Sequence, residues 1–340
     1  MSVRTLVPGT AVAAAPAGWG VRRAVRLAFP DPGPPAPDPE RTGRLRVYLT
    51  DLLRPYGLAL GTEPPDSGGH AYGDLAEALI RQAVPAGEEI DLLVLAYAVP
   101  DVTPGRATAT WLSHVCPGGP LAFAVSDQGP AAAFTALRLI HAYATTAALH
   151  RALLLVVEQP ALPYPPLTTP PAPPGTSAAA APASAPPHPA AARRTLGATA
   201  SGPGSAPVPP LLPDAAYGVA LLLGPPAPGE RPAVLGDLRA GDATADDVRA
   251  ALAGDGAVAV VGTGIDGRTL GPGARVRSAA AGRPGTGVWW ELAGALAEPA
   301  AGPRRLVLAD RAPGSGGLAL AAVDLPALTA RETASAGAHR

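Results

Sequence analysis

The sequence predicts an α/β protein built from two related halves, and three observations carry that prediction. Short, continuous apolar runs bounded by polar residues or glycine recur along the chain, which is how strands covered on both faces read. Each half also holds one long apolar segment of helical length. The order of strands, a long helix and further strands is met on both sides of a proline-rich stretch, as expected of a duplicated unit around stacked sheets.

Taken in order, residues 1–45 read as loop-rich, with "PDPGPPAPDPE" at 30–40 as an exposed connector. Helical character is expected at 45–60 and again at 73–83, where "GDLAEALIRQA" sets Leu75, Leu79 and Ala83 on one face. "DLLVLAY" and then "LAFAV" at 121–125 read as strands buried on both faces. Residues 131–149, "AAAFTALRLIHAYATTAAL", are apolar nearly all round, the mark of a buried helix. "RALLLVVE" at 151–158 is a third strand.

The composition then changes. Residues 160–213 hold 17 prolines and no acidic residue, too little apolar surface to offset the entropy of ordering. A flexible insert in polyproline II or disordered form is expected, with a proline-rich docking ligand as the alternative reading. Beyond it lie a strand at 217–224, a helix at 244–254 with Thr244 as N-cap and Asp247 in its first turn, and a buried strand at 257–262. A helix at about 285–298 and strands at 304–310 and 317–325 complete the series. Trp289 and Trp290 are read as core or interface residues. The expected divisions are an N-terminal half at 1–158, the insert at 159–213, a C-terminal half at 214–330 and a tail at 331–340.

Composition removes several function classes. A formal net charge of −1 leaves no basic surface for phosphate backbones, so no nucleic-acid partner is expected. The single cysteine, Cys116, excludes an intramolecular disulfide and fits a reducing compartment. No apolar run is long enough to span a bilayer, and no secretory signal stands at the N-terminus, so a soluble cytoplasmic protein is expected. The chain has neither lysine nor asparagine, which removes Schiff-base chemistry and the phosphate-loop lysine. "GTGIDG" and "PGSGG" fit no dinucleotide or phosphate-loop spacing, and no metal-ligand spacing is found, so no cofactor is expected.

The order of motifs resembles the ketoacyl-ACP synthase III branch of the thiolase superfamily. The resemblance rests on "LAEALIRQAVPAGEEIDLLVLAYAVPD" at 75–101, the strand-to-helix turn in "LAFAVSDQGPAAAFTAL" and the strand "RALLLVVEQ" ending in a Glu. In the second half it rests on "DAAYGVALLLG" and on "GRPGTGVWWELAGALAEPAAGPRRLVLADRAPGSGGLALAAVDL" at 282–325. It covers roughly residues 70–325 apart from the insert. The resemblance implies a thiolase-like five-layer αβαβα sandwich and a dimer.

The same resemblance implies a Cys nucleophile on the strand-to-helix turn, favoured by the helix N-terminus, and a His and an Asn that stabilise the thioester oxyanion. This chain departs at all three. The nucleophile position falls on Gln128 or Gly129, and Cys116 lies before the strand. The His position falls near Gly262 or Thr263, and "GRPGTG" stands where the Asn is expected. The expectation is a catalytically degenerate subunit with a chain-length-factor-like role in polyketide or fatty-acyl assembly. Its partners would be an active ketosynthase paralogue, as heterodimer or heterotetramer, and an acyl carrier protein; a homodimer is the other assembly. In related chain-length-factor subunits a Gln occupies the turn, and Gln128 can donate to a thioester carbonyl without attacking it. A second reading makes the chain an acyltransferase or thioesterase using Ser126 assisted by Asp127, with His114, read as a surface-loop residue, and His141, read as a core residue, the only histidines in sequence reach. A third is a carrier-protein docking scaffold that uses the insert. The candidate site residues are therefore Ser126, Asp127 and Gln128.

Overall fold

A computed structural model describes residues 19–34, 39–53, 68–103, 107–146, 149–161, 212–254, 256–298, 304–311 and 317–326. Almost all of the proline-rich insert, the tail and residues 54–60 lie outside these. The first described element corrects the loop-rich reading of the N-terminus. Residues Gly20–Phe29 form a strand, β1, and Pro39–Leu53 a helix, α1. β1 carries Arg22, Arg23 and Arg26 between apolar residues, and this charge hides it from a search for apolar runs. The burial of Arg22 is offset by ion pairs with Glu88 at 2.8 Å and Glu230 at 2.7 Å.

The other elements of the first half are α2 (Tyr72–Ala83), β2 (Leu92–Ala96), α3 (Thr108–Val115), β3 (Leu121–Val125), α4 (Ala131–Thr146), β4 (Ala152–Glu158) and β5 (Ala216–Gly224); β5 pairs with β4 and β1, so the strand expected to open the C-terminal half belongs to the first. The second half has β6 (Ala233–Ala243), α5 (Ala245–Ala251), β7 (Val258–Val261), β8 (Val276–Ser278), α6 (Gly287–Ala297), β9 (Arg304–Asp310) and β10 (Leu318–Leu325). Thr244 caps α5 as expected: its hydroxyl accepts from the Asp247 N–H while the Asp247 carboxylate accepts from the Thr244 N–H.

The strands lie in the order β3-β2-β4-β5-β1-β6-β10-β9-β7-β8. This is one five-stranded pattern written twice. In the first block β2 runs parallel to β3 and β4, and β5 is antiparallel to β4 and β1. In the second, β7 runs parallel to β8 and β9, and β10 is antiparallel to β9 and β6. The blocks touch through a short pairing of Gly20 and Val21 with Val234 and Ala233. Gly20 is required there, because a Cβ would overlap the Ala233 carbonyl.

Alternation along the strands sorts the side chains into layers. Leu92, Val94, Leu154, Val156 and Leu221 point one way and pack with α4 and α6. Leu306, Leu308, Ala321 and Val323 of the second block join the same core from the other side. Leu93, Leu95, Leu153, Leu155 and Leu222 point outward beneath α2 and α3. α5 and a 3₁₀ turn at Gly267–Leu270 cover the outer face of the second block. Helices and strand blocks thus alternate in five layers, with α4 and α6 in the middle.

Two sequence readings change here. β3 is the end strand of the sheet and not a doubly covered one: Leu121 is 52% exposed. His114 belongs to α3, with its side chain exposed, and not to a loop.

The middle layer is closed by Phe134 of α4 and Trp289 of α6, both fully buried, with ring centroids 4.8 Å apart. Trp289→Ala is expected to cost about 3–5 kcal/mol in urea unfolding. Trp289→Phe is expected to cost distinctly less, because it also removes an indole N–H buried without a partner. Equal costs for the two variants would show that this core does not depend on ring packing.

Candidate functional site

The turn from β3 into α4 is a strained elbow. Asp127, with φ 60°, is the one non-glycine residue of positive φ among the described residues. Such a conformation costs an L-residue roughly 1–2 kcal/mol and persists only where both flanks are fixed. Here β3 fixes one flank and α4 the other. Gly129 follows with φ 53°, and α4 begins as the N–H groups of Ala131 and Ala132 donate to the carbonyls of Gln128 and Gly129.

The side chains on this elbow are committed to one another. Ser126 Oγ donates to Asp127 Oδ2 at 2.9 Å. Thr135 Oγ1, one turn into α4, donates to Gln128 Oε1 at 2.5 Å. Gly129 and Pro130, directly at the helix start, carry no group that can attack a carbonyl. The three candidate residues therefore do lie together, but as a hydrogen-bonded turn. His141, half-buried on α4, and the exposed His114 do not line the cavity beside Ser126. Cys116 is buried at the end of α3, and burial pushes its thiol up to about 12, so it is held as a thiol.

The counterpart positions in the second half are occupied differently from what the resemblance requires. Gly262 directly follows β7, and the buried Asp310 ends β9 beside it. A Cβ on Gly262 would overlap the Asp310 carboxyl group, although the Gly262 backbone is not in the left-handed region. No side chain, and so no histidine, fits at 262 while Asp310 stays in place. At the start of α6 the donors are spent in the same way. Gly285 N–H donates to Glu158 Oε2 at 2.7 Å, Thr286 N–H donates to Glu158 Oε1 at 3.1 Å, and the Thr286 hydroxyl donates to Oε1 as well. Donors that could meet an oxyanion at that helix end are bound to a carboxylate of the protein.

Glu158 and Asp310 are equivalent in the repeat: each is the last residue of a seven-residue strand, β4 in one half and β9 in the other. Burial pushes both carboxyls up to about 7, and for Asp310 the Glu158 charge adds to the effect. The Glu was among the motifs of the resemblance; Asp310 was not singled out, although "RRLVLAD" and "RALLLVVE" both end an apolar run in an acid.

A cavity of about 450 Å³ opens on the other side of the elbow. Ser126 and Asp127 form one wall, Tyr97 and Asp101 another, and the first turn of α3 a third. Asp101 anchors this region, accepting from the N–H groups of Tyr72 and Thr103, both at 3.2 Å. Burial raises the Tyr97 phenol, the Ser126 hydroxyl opposes that, and the charges of Asp127 and Asp101 add to it. Among the described residues no group of three or more His, Cys, Asp or Glu is placed to hold a metal ion, and no helix is long and apolar enough to cross a membrane.

No family model and no curated protein matches the sequence. Solved structures do match its fold. The acyltransferase ChlB3 is 16% identical over 92% of this chain and 99% of its own, with a TM-score of 0.50. AbyA1, a tetronic acid condensing enzyme, is 19% identical over 90% of this chain and 99% of its own, with a TM-score of 0.48. OleA of Xanthomonas campestris, solved with lauric acid and lauroyl-CoA, is 14% identical over 91% of this chain and 99% of its own, with a TM-score of 0.45. The fold is thiolase-like, shared with ChlB3.

Stability should follow the two buried acids. The unfolded chain releases their protons near pH 4 to 4.5 and the folded chain only near 7. Between these values the folded state holds the extra protons, so stability falls as pH rises through the window and levels off above it. Glu230 and Asp324, held low by Arg22 and Arg305, act oppositely and cost stability at the acid end. The urea midpoint is therefore expected to be higher at pH 5 than at pH 8. Asp310→Asn should shrink the difference; a difference that Asp310→Asn leaves unchanged would remove this assignment.

Proposed function

We propose, from the thiolase-like fold as premise, that the chain is a non-condensing ketosynthase-like subunit. It pairs with an active ketoacyl-ACP synthase III-like paralogue and shapes that partner's acyl product, as a chain-length-factor-like component of polyketide or fatty-acyl assembly. The observation that carries this reading is the elbow. It keeps its strained backbone and its helix start, yet presents Gln128, Gly129 and Pro130 where a nucleophile would stand. Strain of this kind is costly to keep, and here the shape outlasts the chemistry.

Two further features support the reading. The space at Gly262 and the donors at Gly285 and Thr286 are taken by Asp310 and Glu158, so oxyanion stabilisation of the expected kind has no place to act. Among the described residues β3 has a free edge, and with Leu121 exposed on it the edge suits a strand-to-strand contact with a second chain. The partner and the acyl carrier protein that would feed it belong to this proposal.

The acyltransferase reading keeps one observation in its favour: Ser126 stands on the wall of a cavity, as a serine acting on a bound thioester would. Among the described residues no histidine lines that cavity, so the pairing reading is preferred.

Co-expression with a ketosynthase III-like enzyme of the same genome tests the proposal. A heteromer on size exclusion is expected, with a product distribution that shifts when this chain is left out. The chain alone should form no β-ketoacyl product from acyl and malonyl thioesters. Condensation by the isolated chain, or products that are the same with and without it, would overturn the reading. For the second reading, an acyl adduct lost in Ser126→Ala would establish it.

A further inference from the structure

We infer that the seam between the two strand blocks is a proton-operated latch: a proton on Asp310 keeps it closed, and loss of that proton to water releases the start of α6 from Glu158. The inference does not depend on the pairing proposal, which concerns the elbow and the β3 edge.

The buried polar and charged residues among those described are Glu158, Gln159, Thr286 and Asp310, each 2% exposed or less. All four stand where β4 and β9 end or where α6 begins. The two acids are unequally provided for. Glu158 accepts from the N–H groups of Gly285 and Thr286 and from the Thr286 hydroxyl, and the charge of Arg283 faces it. Asp310 accepts only from the Arg311 N–H, at 2.8 Å, and has no ion pair among the described residues; it faces Glu158 and the backbone at Gly262. Tyr72 of α2 also feels the Glu158 charge, but burial keeps it a neutral phenol.

A buried carboxylate with one donor and no cation is costly, and a like charge beside it adds to the cost. Glu158 is therefore the acid that carries the charge, and Asp310 the one that keeps the proton. Burial, the larger effect, and the Glu158 charge push the Asp310 carboxyl up to about 7, so its proton is exchanged near neutral pH.

The position of the pair makes the loss of this proton mechanical. Glu158 ends a strand of the first block, Asp310 ends a strand of the second, and the donors held by Glu158 open α6. With both acids charged, repulsion acts across the seam and is relieved when the strand ends part. Parting takes Glu158 off Gly285 and Thr286, while β4 stays paired with β2 and β5. The closed seam holds the proton up to about pH 7, and an open one only to the ordinary carboxylate value of about 4. Opening therefore rises with pH, by about tenfold from pH 6 to pH 8 for one proton.

The test is amide hydrogen exchange of the full chain at pH 6 and pH 8, corrected for the intrinsic rate. Protection at Gly285 and Thr286 is expected to be lower than at Leu154 and Leu221, unmoved by low urea, and about tenfold weaker at pH 8 than at pH 6. Asp310→Asn should remove the pH effect and keep the pH 6 protection at pH 8. A second measurement needs no variant: with isotope-labelled aspartate, the infrared band of a protonated carboxyl should shift with the label and vanish between pH 6 and pH 8. Protection at Gly285 and Thr286 that equals the core in size and urea response would show global unfolding alone and overturn the latch. So would protection that ignores pH, a pH effect that survives Asp310→Asn, or an infrared band that the label does not move.

Discussion

One apolar layer, shared by α4 and α6 between the two strand blocks, governs the rest of the molecule. Sheets packed through such a layer leave a gap of set width, and two helices fit only if their residues suit it. α4 buries Ala132, Ala133, Phe134, Ala136 and Leu137, while α6 buries Val288, Trp289, Leu292 and Ala293. Small residues let the helices sit close to the strands, and Phe134 and Trp289 fill what remains. Because each helix follows a strand of its own block, both helix starts fall beside strand ends. What occupies those two helix starts decides the chemistry.

At the α6 start the occupant is Glu158, which ties the end of β4 in one block to the central helix of the other. A carboxylate accepting backbone N–H groups at a helix N-terminus is stabilising, but burial opposes its charge, and the balance leaves the group near neutrality. At the α4 start the occupant is the Ser126–Pro130 elbow, where Asp127 accepts from Ser126 and Gln128 accepts from Thr135 of α4. The repeat thus presents two helix ends, one sealed by an acid and one by a turn. Asp310, at the end of β9, rests where a residue at 262 would need space.

Much of the fold was legible in the sequence, and the reason is burial. β2, β4 and β5 are covered on both faces, so their apolar runs stand out, and the predicted bounds lie within a residue or two of the strands. β1 and β6 were not seen. They are counterparts in the repeat and lie where the blocks meet, with exposed and half-buried positions interleaved and Arg or Asp among them. Their alternation was the available signal, and it is weak where charged residues also fall on inward positions such as Arg22. β3 was misjudged because an apolar edge strand and an apolar central strand have the same composition. At the site, Ser126, Asp127 and Gln128 were legible from the strand-to-helix turn. Asp310 and the cavity wall of Tyr97, Asp101 and Thr103 were not, since they meet only through tertiary packing.

On the proposed reading Asp310 fills the space at 262, so that packing as well as the turn residues closes the site. A double-mutant cycle at Gly262 and Asp310 tests it most directly. Gly262→Ala in the native background should cost about 1–3 kcal/mol through overpacking against the Asp310 carboxyl. In an Asp310→Gly background the same change should cost less than about 0.5 kcal/mol, giving a coupling energy close to the full overpacking cost. Equal costs in both backgrounds would contradict the account, because Asp310 would then not be what fills the space at 262.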